Sequence, residues 1–580
     1  MIDIILINLL AVPVLLILCP IGSMSQGMDT TIREKAAGTQ VVAATLRRLK
    51  NACLFTNDFF FMWRVAWVES HFGSDEGLFD PQEPKGIWQL SSRGFQDTLD
   101  TNAHPSLSGL CANISAQLGV NWPSMNFSNA NMNKALYNAL AARIYMQNNI
   151  DSIPLSVSEQ AVFWYQKYTI KSNASADMFI NGINSMPHCR SAGVDLIIVL
   201  DGSFSIGDGN FQNMKNVVFN IVNSTEIGPN RTQVAIFVFA KLVLRQVSFG
   251  DTNTHNKSLL LNIIANIDYP GGTTATADAL AAARKEFDLA RDLNLGFPRQ
   301  LIILTDGESN LPNVTAIEAV KLRNLTWLES YAIGMGSAFT GSEANLQEIS
   351  NIASLPTCTH VYTTPTVADI STLTDDLREA SCQASAPICA QTNCLGAVTG
   401  QVSPGDARYF WDVAVRLVGR SYSLTTYSGT LRLYVSVSFE NPGESVYDFK
   451  AVASPGTPAL VNVSSQLLNV GYSGSDFRAP NGSVLIFLAV RTQNSSDGNL
   501  QSAKFLIKSA PGGTDQPTIA SGGTYQSTAS RCTNQTLATG RTYQPTGSGR
   551  TYRPGAAMMI ANSPIILIVS IAIAILNIYN

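Results

Sequence analysis

The stretch Val194–Phe211, "VDLIIVLDGSFSIGDGNF", joins an unbroken apolar run to a cluster of hard oxygen donors. Leu196 to Leu200 carry no polar interruption, so a strand here has both faces buried, the mark of a parallel sheet covered by helices. The run stops at Asp201, and Ser203 and Ser205 follow two and four positions later. In a doubly wound sheet, ligands collect outside the carboxyl ends of the strands at the switch in strand order. A carboxylate followed closely by two hydroxyls at such an edge is the donor set of a divalent hard cation. Taken alone, the same residues also suit helix capping and turns.

The surrounding chain extends the pattern. Between residues 190 and 383, further buried strands ("TQVAIFVFA", "RQLIILTDG", "ESYAIGMG", "HVYTT") alternate with amphipathic helices such as "TATADALAAARKEF" and "EANLQEISNIAS". This predicts an α/β doubly wound, Rossmann-like domain. Two other segments then reach the same edge: "YPGGTTATADAL", with Thr273 and Thr274 at a helix mouth, and "LIILTDGES", a strand ending in Asp306.

The order Asp-x-Ser-x-Ser, then Thr, then Asp resembles the metal-ion-dependent adhesion site of von Willebrand factor type A domains. Carried over residue by residue, the resemblance implies metal ligands Asp201, Ser203, Ser205, Thr274 (with Thr273 as the other reading) and Asp306. It implies Mg2+ or Mn2+ with an open position completed by water or by a partner's Asp or Glu. Two carboxylates balance the ion's charge and the hydroxyls are neutral, so no excess negative charge opposes an acidic partner at the open position. The resemblance also implies neighbouring domain termini. A Cys189–Cys382 disulfide is one expectation from that, and Cys358–Cys382 is the alternative.

Upstream, residues 40–189 read as helical. "NKALYNALAARIYMQ" has apolar spacing of three and four, and Ser156 with Glu159 forms a capping-box pattern. "WRVAWVESHFGSDEG" followed by "PKGIWQLSSRGFQDT" ends an apolar helix in Glu69. This arrangement resembles goose-type lysozymes and lytic transglycosylases through Glu69, Ser70, Gly86, Ile87, Trp88 and Gln89, with Tyr165 in "AVFWYQKY". The resemblance implies a lysozyme-like domain with Glu69 as general acid. Asp75, Glu76 and Asp80 are candidate helpers. Gln166 departs from the family's usual Asn. The alternative is a scaffold retained for binding or structure, in which Glu69 pairs with Arg64 or is hydrogen-bonded in the core.

After Cys394 the texture turns to alternating β-branched and aromatic segments ("ARYFWDVAVRL", "TLRLYVSVSF", "SVLIFLAVRT", "SAKFLIKS"), predicting a β-sandwich over 389–510. Residues 511–556 are Gly/Ser/Thr/Pro-rich and repeat "GGTYQS", "GRTYQP", "GRTYRP", as a stalk would.

The ends and the cysteines point to export. Residues 1–25 have the apolar run of a signal peptide, although Asp3 stands where a basic residue is usual. Residues 557–580 read as a GPI-attachment signal, or alternatively a membrane span, giving a membrane attachment on the extracellular side. Without Cys19 the cysteines form an even set (Cys53, Cys111, Cys189, Cys358, Cys382, Cys389, Cys394, Cys532), as expected for disulfides. Glycosylation sequons fall at Asn113, Asn126, Asn173, Asn223, Asn230, Asn256, Asn313, Asn324, Asn462, Asn481, Asn494 and Asn534. A net charge of -4 gives no basic footprint for nucleic acid.

The sequence therefore predicts a multidomain surface or matrix protein that adheres to an extracellular protein ligand or matrix component through a metal. The alternative is a surface-anchored muramidase-like hydrolase acting on bacterial cell wall, with the other domains for targeting. A third reading is a released matrix component cross-linked through Cys532.

Overall fold

Asp195–Asp201 forms the central strand, β1, of a six-stranded sheet, and every residue in it is buried. The computed structural model describes residues 27–512 except 81, 83–84, 190–191, 308, 337–338, 340–341, 365–370, 390–395, 471–482 and 493–501. The signal peptide, the stalk beyond residue 512, the C-terminal apolar run, Cys394, Cys532, Asn481, Asn494 and Asn534 lie outside the described residues.

The other strands are β2 (Gln233–Phe239), β3 (Val243–Val247), β4 (Arg299–Thr305), β5 (Leu328–Met335) and β6 (Val361–Thr364), in the order β3-β2-β1-β4-β5-β6. All neighbours are parallel except β2 and β3, which form an antiparallel edge pair. Order reverses around β1, so the crevice of a doubly wound sheet opens beyond Asp201.

Strand alternation divides the core in two. Leu196, Ile198 and Leu200 pack with Phe211, Met214 and Val218 from helix Gly207–Ser224 and with Leu373 and Leu377 from helix Ser371–Gln383. Ile197 and Val199 face the other side, against Ala279 and Ala283 of helix Thr276–Glu286, Ala319 of Pro312–Arg323 and Ile352 of Glu343–Ile352. Each side chain from Leu196 to Leu200 enters one of these layers, and for that reason the run between the two aspartates is apolar.

Before this sheet the described chain is helical around its own buried cluster. Helix Ala135–Asn149 buries Leu136, Ala139, Leu140 and Ile144, and Ser156 caps helix Val157–Phe163 by accepting from Glu159 N at 3.2 Å. After the sheet comes a two-layer β structure. One sheet orders Phe449–Ala453, Leu431–Ser436, Ser483–Thr492, Ala407–Val415 and Ser385–Cys389. The other orders Ala459–Val463, Arg420–Thr426, Ala503–Pro511 and Gly396–Val402. Ser385–Cys389 joins this sheet directly after helix Ser371–Gln383.

The three regions are tied together. Met28 and Asp29 pair antiparallel with Tyr447 and Val446. Arg64 forms an ion pair with Asp375, Lys50 donates to the Tyr362 hydroxyl at 3.1 Å, and Arg231 pairs with Asp406 at 2.9 Å. Disulfides join Cys53 to Cys358 and Cys189 to Cys382. The second matches the favoured expectation, and the Cys358–Cys382 alternative is corrected by the Cys53 partner. Among the described residues, Cys111 is free and buried.

Candidate metal centre

Asp201 is fully buried at the end of β1, where burial pushes its carboxyl above the usual range. One carboxylate oxygen accepts from the Ser203 backbone N–H at 2.9 Å, and the other accepts from Thr305 Oγ1 at 2.6 Å. Ser203 Oγ and Ser205 Oγ are 3.0 Å apart, and Ser205 Oγ donates to Asp306 at 2.9 Å. Four of the sequence-predicted ligands therefore form one continuous cluster at the carboxyl edge of β1 and β4. Burial, and then the nearby Asp201 charge, push the Asp306 carboxyl up to about 6.

The loop geometry follows from small residues and backbone bonds. Gly202 N donates to Phe239 O at 2.7 Å, and a Cβ on Gly202 would stand 2.7 Å from the Pro270 ring. Only glycine admits that approach. Phe204 N donates to Gly272 O at 2.8 Å, and Tyr269 donates its hydroxyl to Ser203 O at 2.8 Å. Thr274 is buried while Thr273 is exposed, and Thr274 O accepts from Asn310 N at 3.0 Å. That bond ties the 271–275 turn to the loop following Asp306.

Thr305 and Tyr269 are the residues that sequence reasoning missed. Both were adjacent to quoted motifs, in "LTDG" and "YPGG", but neither spacing reveals a second-layer hydrogen bond.

The donor set fits a hard divalent cation. Other buried carboxylates have cationic partners: Asp195 has Arg291 at 2.6 Å, Asp412 has Arg420 at 2.8 Å, and Glu286 has Arg245 at 3.4 Å. The shifts of Asp201 and Asp306 have no contribution from Lys or Arg. A buried carboxylate beside a half-buried one is costly unless one is protonated or an ion neutralises them. Asp201, Ser203, Ser205, Thr274 and Asp306 are the residues to hold it.

The second predicted centre is more enclosed. Glu69 is 4% exposed at the end of helix Phe61–Ser70. Trp164 Nε1 donates to its Oε1 at 2.7 Å, and Lys171 Nζ lies 3.3 Å from Oε2. Burial raises the Glu69 pKa, with Lys171 acting in opposition. The expected alternative partner, Arg64, is instead engaged with Asp375 and Gln160. Ser70 is buried and donates to Ile87 O at 2.7 Å. Gly86 has φ of +62°, and a Cβ there would stand 2.2 Å from Met132 O, while Gln89 Nε2 donates to Gly86 O at 2.6 Å. Tyr165 is 47% exposed. Its neighbours Trp164 and Tyr168 are buried, and the Tyr168 hydroxyl donates to Trp88 O at 2.6 Å. Asp75, Glu76 and Asp80 are exposed, and Asp75 pairs with His71 at 2.6 Å.

The sequon residues Asn113, Asn126, Asn173, Asn223, Asn230, Asn256, Asn313, Asn324 and Asn462 are all exposed. Among the described residues, no helix is long and apolar enough to cross a membrane.

Comparison with known proteins addresses the sheet region. The family profile for the von Willebrand factor type A domain matches residues 195–376. The collagen alpha-1(XXI) chain of Xenopus laevis is 30% identical over 197 residues, covering 34% of this chain and 19% of that one. Matrilin-3 of Gallus gallus is 26% identical over 212 residues, covering 36% of this chain and 44% of that one. This chain thus spans about a fifth of the length of that collagen and under half of that matrilin. Among solved structures, proximal thread matrix protein 1 from the mussel byssus is 25% identical, with a TM-score of 0.29, covering 36% of this chain and 53% of that one. With the sheet order, the two-sided core and the profile match in agreement, residues 195–376 are a von Willebrand factor type A domain.

Proposed function

We propose that this protein is an extracellular adhesion or ligand-binding protein, in the matrix or at the cell surface, that grips an acidic side chain of a protein partner through a divalent cation. Asp201, Ser203, Ser205, Thr274 and Asp306 hold the ion, with Mg2+ or Mn2+ suited to their hard oxygens. The observation that carries this reading is the hydrogen-bonded cluster of buried Asp201 and Ser203, exposed Ser205 and half-buried Asp306 at one sheet edge, with no Lys or Arg ion pair to either carboxylate among the described residues. When bound, the ion supplies a positive centre for a carboxylate. The protein's own contribution is to hold the oxygens in place and to keep the pair from water. Similarity to a collagen chain and a matrilin supports a matrix setting.

The test is binding of the secreted full chain to cell-deposited matrix. Mg2+ should be required, EDTA should release the protein, and Asp306→Ala should abolish binding. Wild-type binding that persists in EDTA, together with undiminished binding by Asp306→Ala in Mg2+, discards the metal mechanism. The surface tether belongs to the same proposal, and phosphatidylinositol-specific phospholipase should release the protein from cells.

A second reading, a muramidase-like activity, is favoured by one observation: Glu69 is buried, burial raises its pKa, and Trp164 holds it. Lys171 covers that carboxyl and weighs against it. Clearing of bacterial walls by wild type but not Glu69→Gln supports hydrolysis, and absence of clearing by wild type removes it.

A further inference from the structure

Large apolar side chains stand exposed on three separate loops around the acidic centre. Phe204, between the two serines, is 75% exposed; Leu242, in the turn between β2 and β3, is 70% exposed; Leu311, at the entry to helix Pro312–Arg323, is 62% exposed. Singly exposed apolar residues are ordinary on protein surfaces. These three are connected through the backbone around one polar site, which is not ordinary.

The connection can be followed bond by bond. The Phe204 ring lies over Gly271, where a Cβ would stand 2.7 Å from Cε1, and Phe204 N is bonded to Gly272 O. A Cβ on Gly272 would be 3.2 Å from Lys241 N, and Ala275 N donates to Ala240 O at 2.9 Å, so the Leu242 turn abuts the same segment. The Thr274–Asn310 bond brings the residue before Leu311 to that segment's other side. Gly271 has φ of +60°, which favours glycine and leaves the ring its seat.

We propose that Phe204, Leu242 and Leu311 form an apolar collar that selects partner segments whose metal-seeking Asp or Glu is flanked on both sides by large apolar residues. This rests on the metal-dependent reading above and specifies its partner. Apolar flanks bury the collar and exclude water from the central charge contact, which strengthens it. Polar flanks leave the collar wet and the contact screened. Lys241, exposed beside Leu242, adds positive charge to the rim and suits an acidic segment.

The test uses the full chain and a phage-displayed random-peptide library, selected in Mg2+ and eluted with EDTA. The expected result is enrichment of Asp or Glu with Leu, Ile, Phe or Met on either side. Each of Phe204→Ser, Leu242→Ser and Leu311→Ser should weaken the enriched peptide about tenfold. Mn2+ binding, followed by electron paramagnetic resonance, should be unchanged in all three, which also verifies folding at the site. Enrichment of acidic residues with no flanking preference overturns the collar and leaves the metal reading standing. No metal-dependent enrichment, together with no Mn2+ binding, overturns both.

Discussion

Ser205 donates a 2.9 Å hydrogen bond to Asp306, a residue 101 positions further along the chain. The bond joins the loop after β1 to the end of β4, and it sits beside the Ser203–Ser205 contact and the Thr305–Asp201 bond. The oxygens are therefore already gathered by the protein's own hydrogen bonds. A cation entering this cluster replaces bonds rather than assembling distant loops, which keeps the reorganisation cost small.

The first prediction concerns pH and metal together. Folding raises the Asp306 pKa from 3.8 to about 6, so the metal-free folded state holds this proton more tightly than the unfolded chain. That contribution to stability is full below the unfolded pKa of 3.8 and is lost as pH rises through about 6. At about pH 7.5 the Asp306 carboxylate is charged, and Mg2+ should raise Tm by binding only the folded state. The increment should shrink below pH 6, where the proton competes for the same oxygen. Calorimetry with and without Mg2+ measures this, and Asp306→Asn should flatten both responses. A Mg2+ increment that is constant from about pH 5 to 8 contradicts the assignment.

The second prediction is for Thr305, whose hydroxyl donates to the buried Asp201 carboxylate at 2.6 Å. Thr305→Val keeps the shape and removes the donor, so the carboxylate loses its orientation. Mg2+ affinity should fall by about 10- to 100-fold, as for other groups that orient a ligand. Thr305→Ser should restore it. Titration calorimetry decides, and an unchanged affinity in the Val variant removes Thr305 from the site.

Much of this centre was legible because two-sided burial leaves a plain signal in sequence. An apolar run such as Leu196–Leu200 identifies a covered parallel strand, and the polar residue that ends it marks the sheet edge. Asp201, Ser203, Ser205 and Asp306 followed from that rule. The Thr305 and Tyr269 bonds were not legible, because they depend on which oxygen each loop turns toward. Nor was the Cys53–Cys358 pairing, whose two cysteines come from different structural regions. The outward position of Tyr165 was not legible either. Helix Val157–Phe163 passes into a wider π turn over Trp164–Tyr168, so helical spacing fails there, and Trp164 and Tyr168 turn inward instead.

The third prediction uses the Cys53–Cys358 bridge. It links the segment after helix Thr39–Asn51 to the turn before β6, far along the chain from the metal ligands. Replacing both cysteines by Ala should cost about 2–4 kcal/mol of unfolding free energy. Metal affinity should not change, because no ligand is attached to that turn. Denaturant unfolding and Mg2+ titration of the same sample separate the two. A coupled loss of Mg2+ affinity would show instead that the bridge supports the metal edge.

The last prediction concerns the sequon nearest the collar. Asn313 is exposed in the first turn of helix Pro312–Arg323, two residues after Leu311. A glycan there stands at the rim of the proposed docking face and obstructs approach without touching the metal ligands. Asn462 is equally exposed, but it lies on strand Ala459–Val463 of the β structure. Asn313→Gln in protein secreted from eukaryotic cells should therefore raise the association rate for an acidic peptide ligand by about threefold or more, while dissociation stays similar. Asn462→Gln should leave both rates unchanged, and Mg2+ affinity should be the same in all three proteins. Surface plasmon resonance on matched preparations, with occupancy at each sequon measured by mass spectrometry, makes the comparison. If occupied Asn313 and Asn313→Gln associate at the same rate, the docking face does not extend to Leu311, and the collar must be redrawn around Phe204 and Leu242.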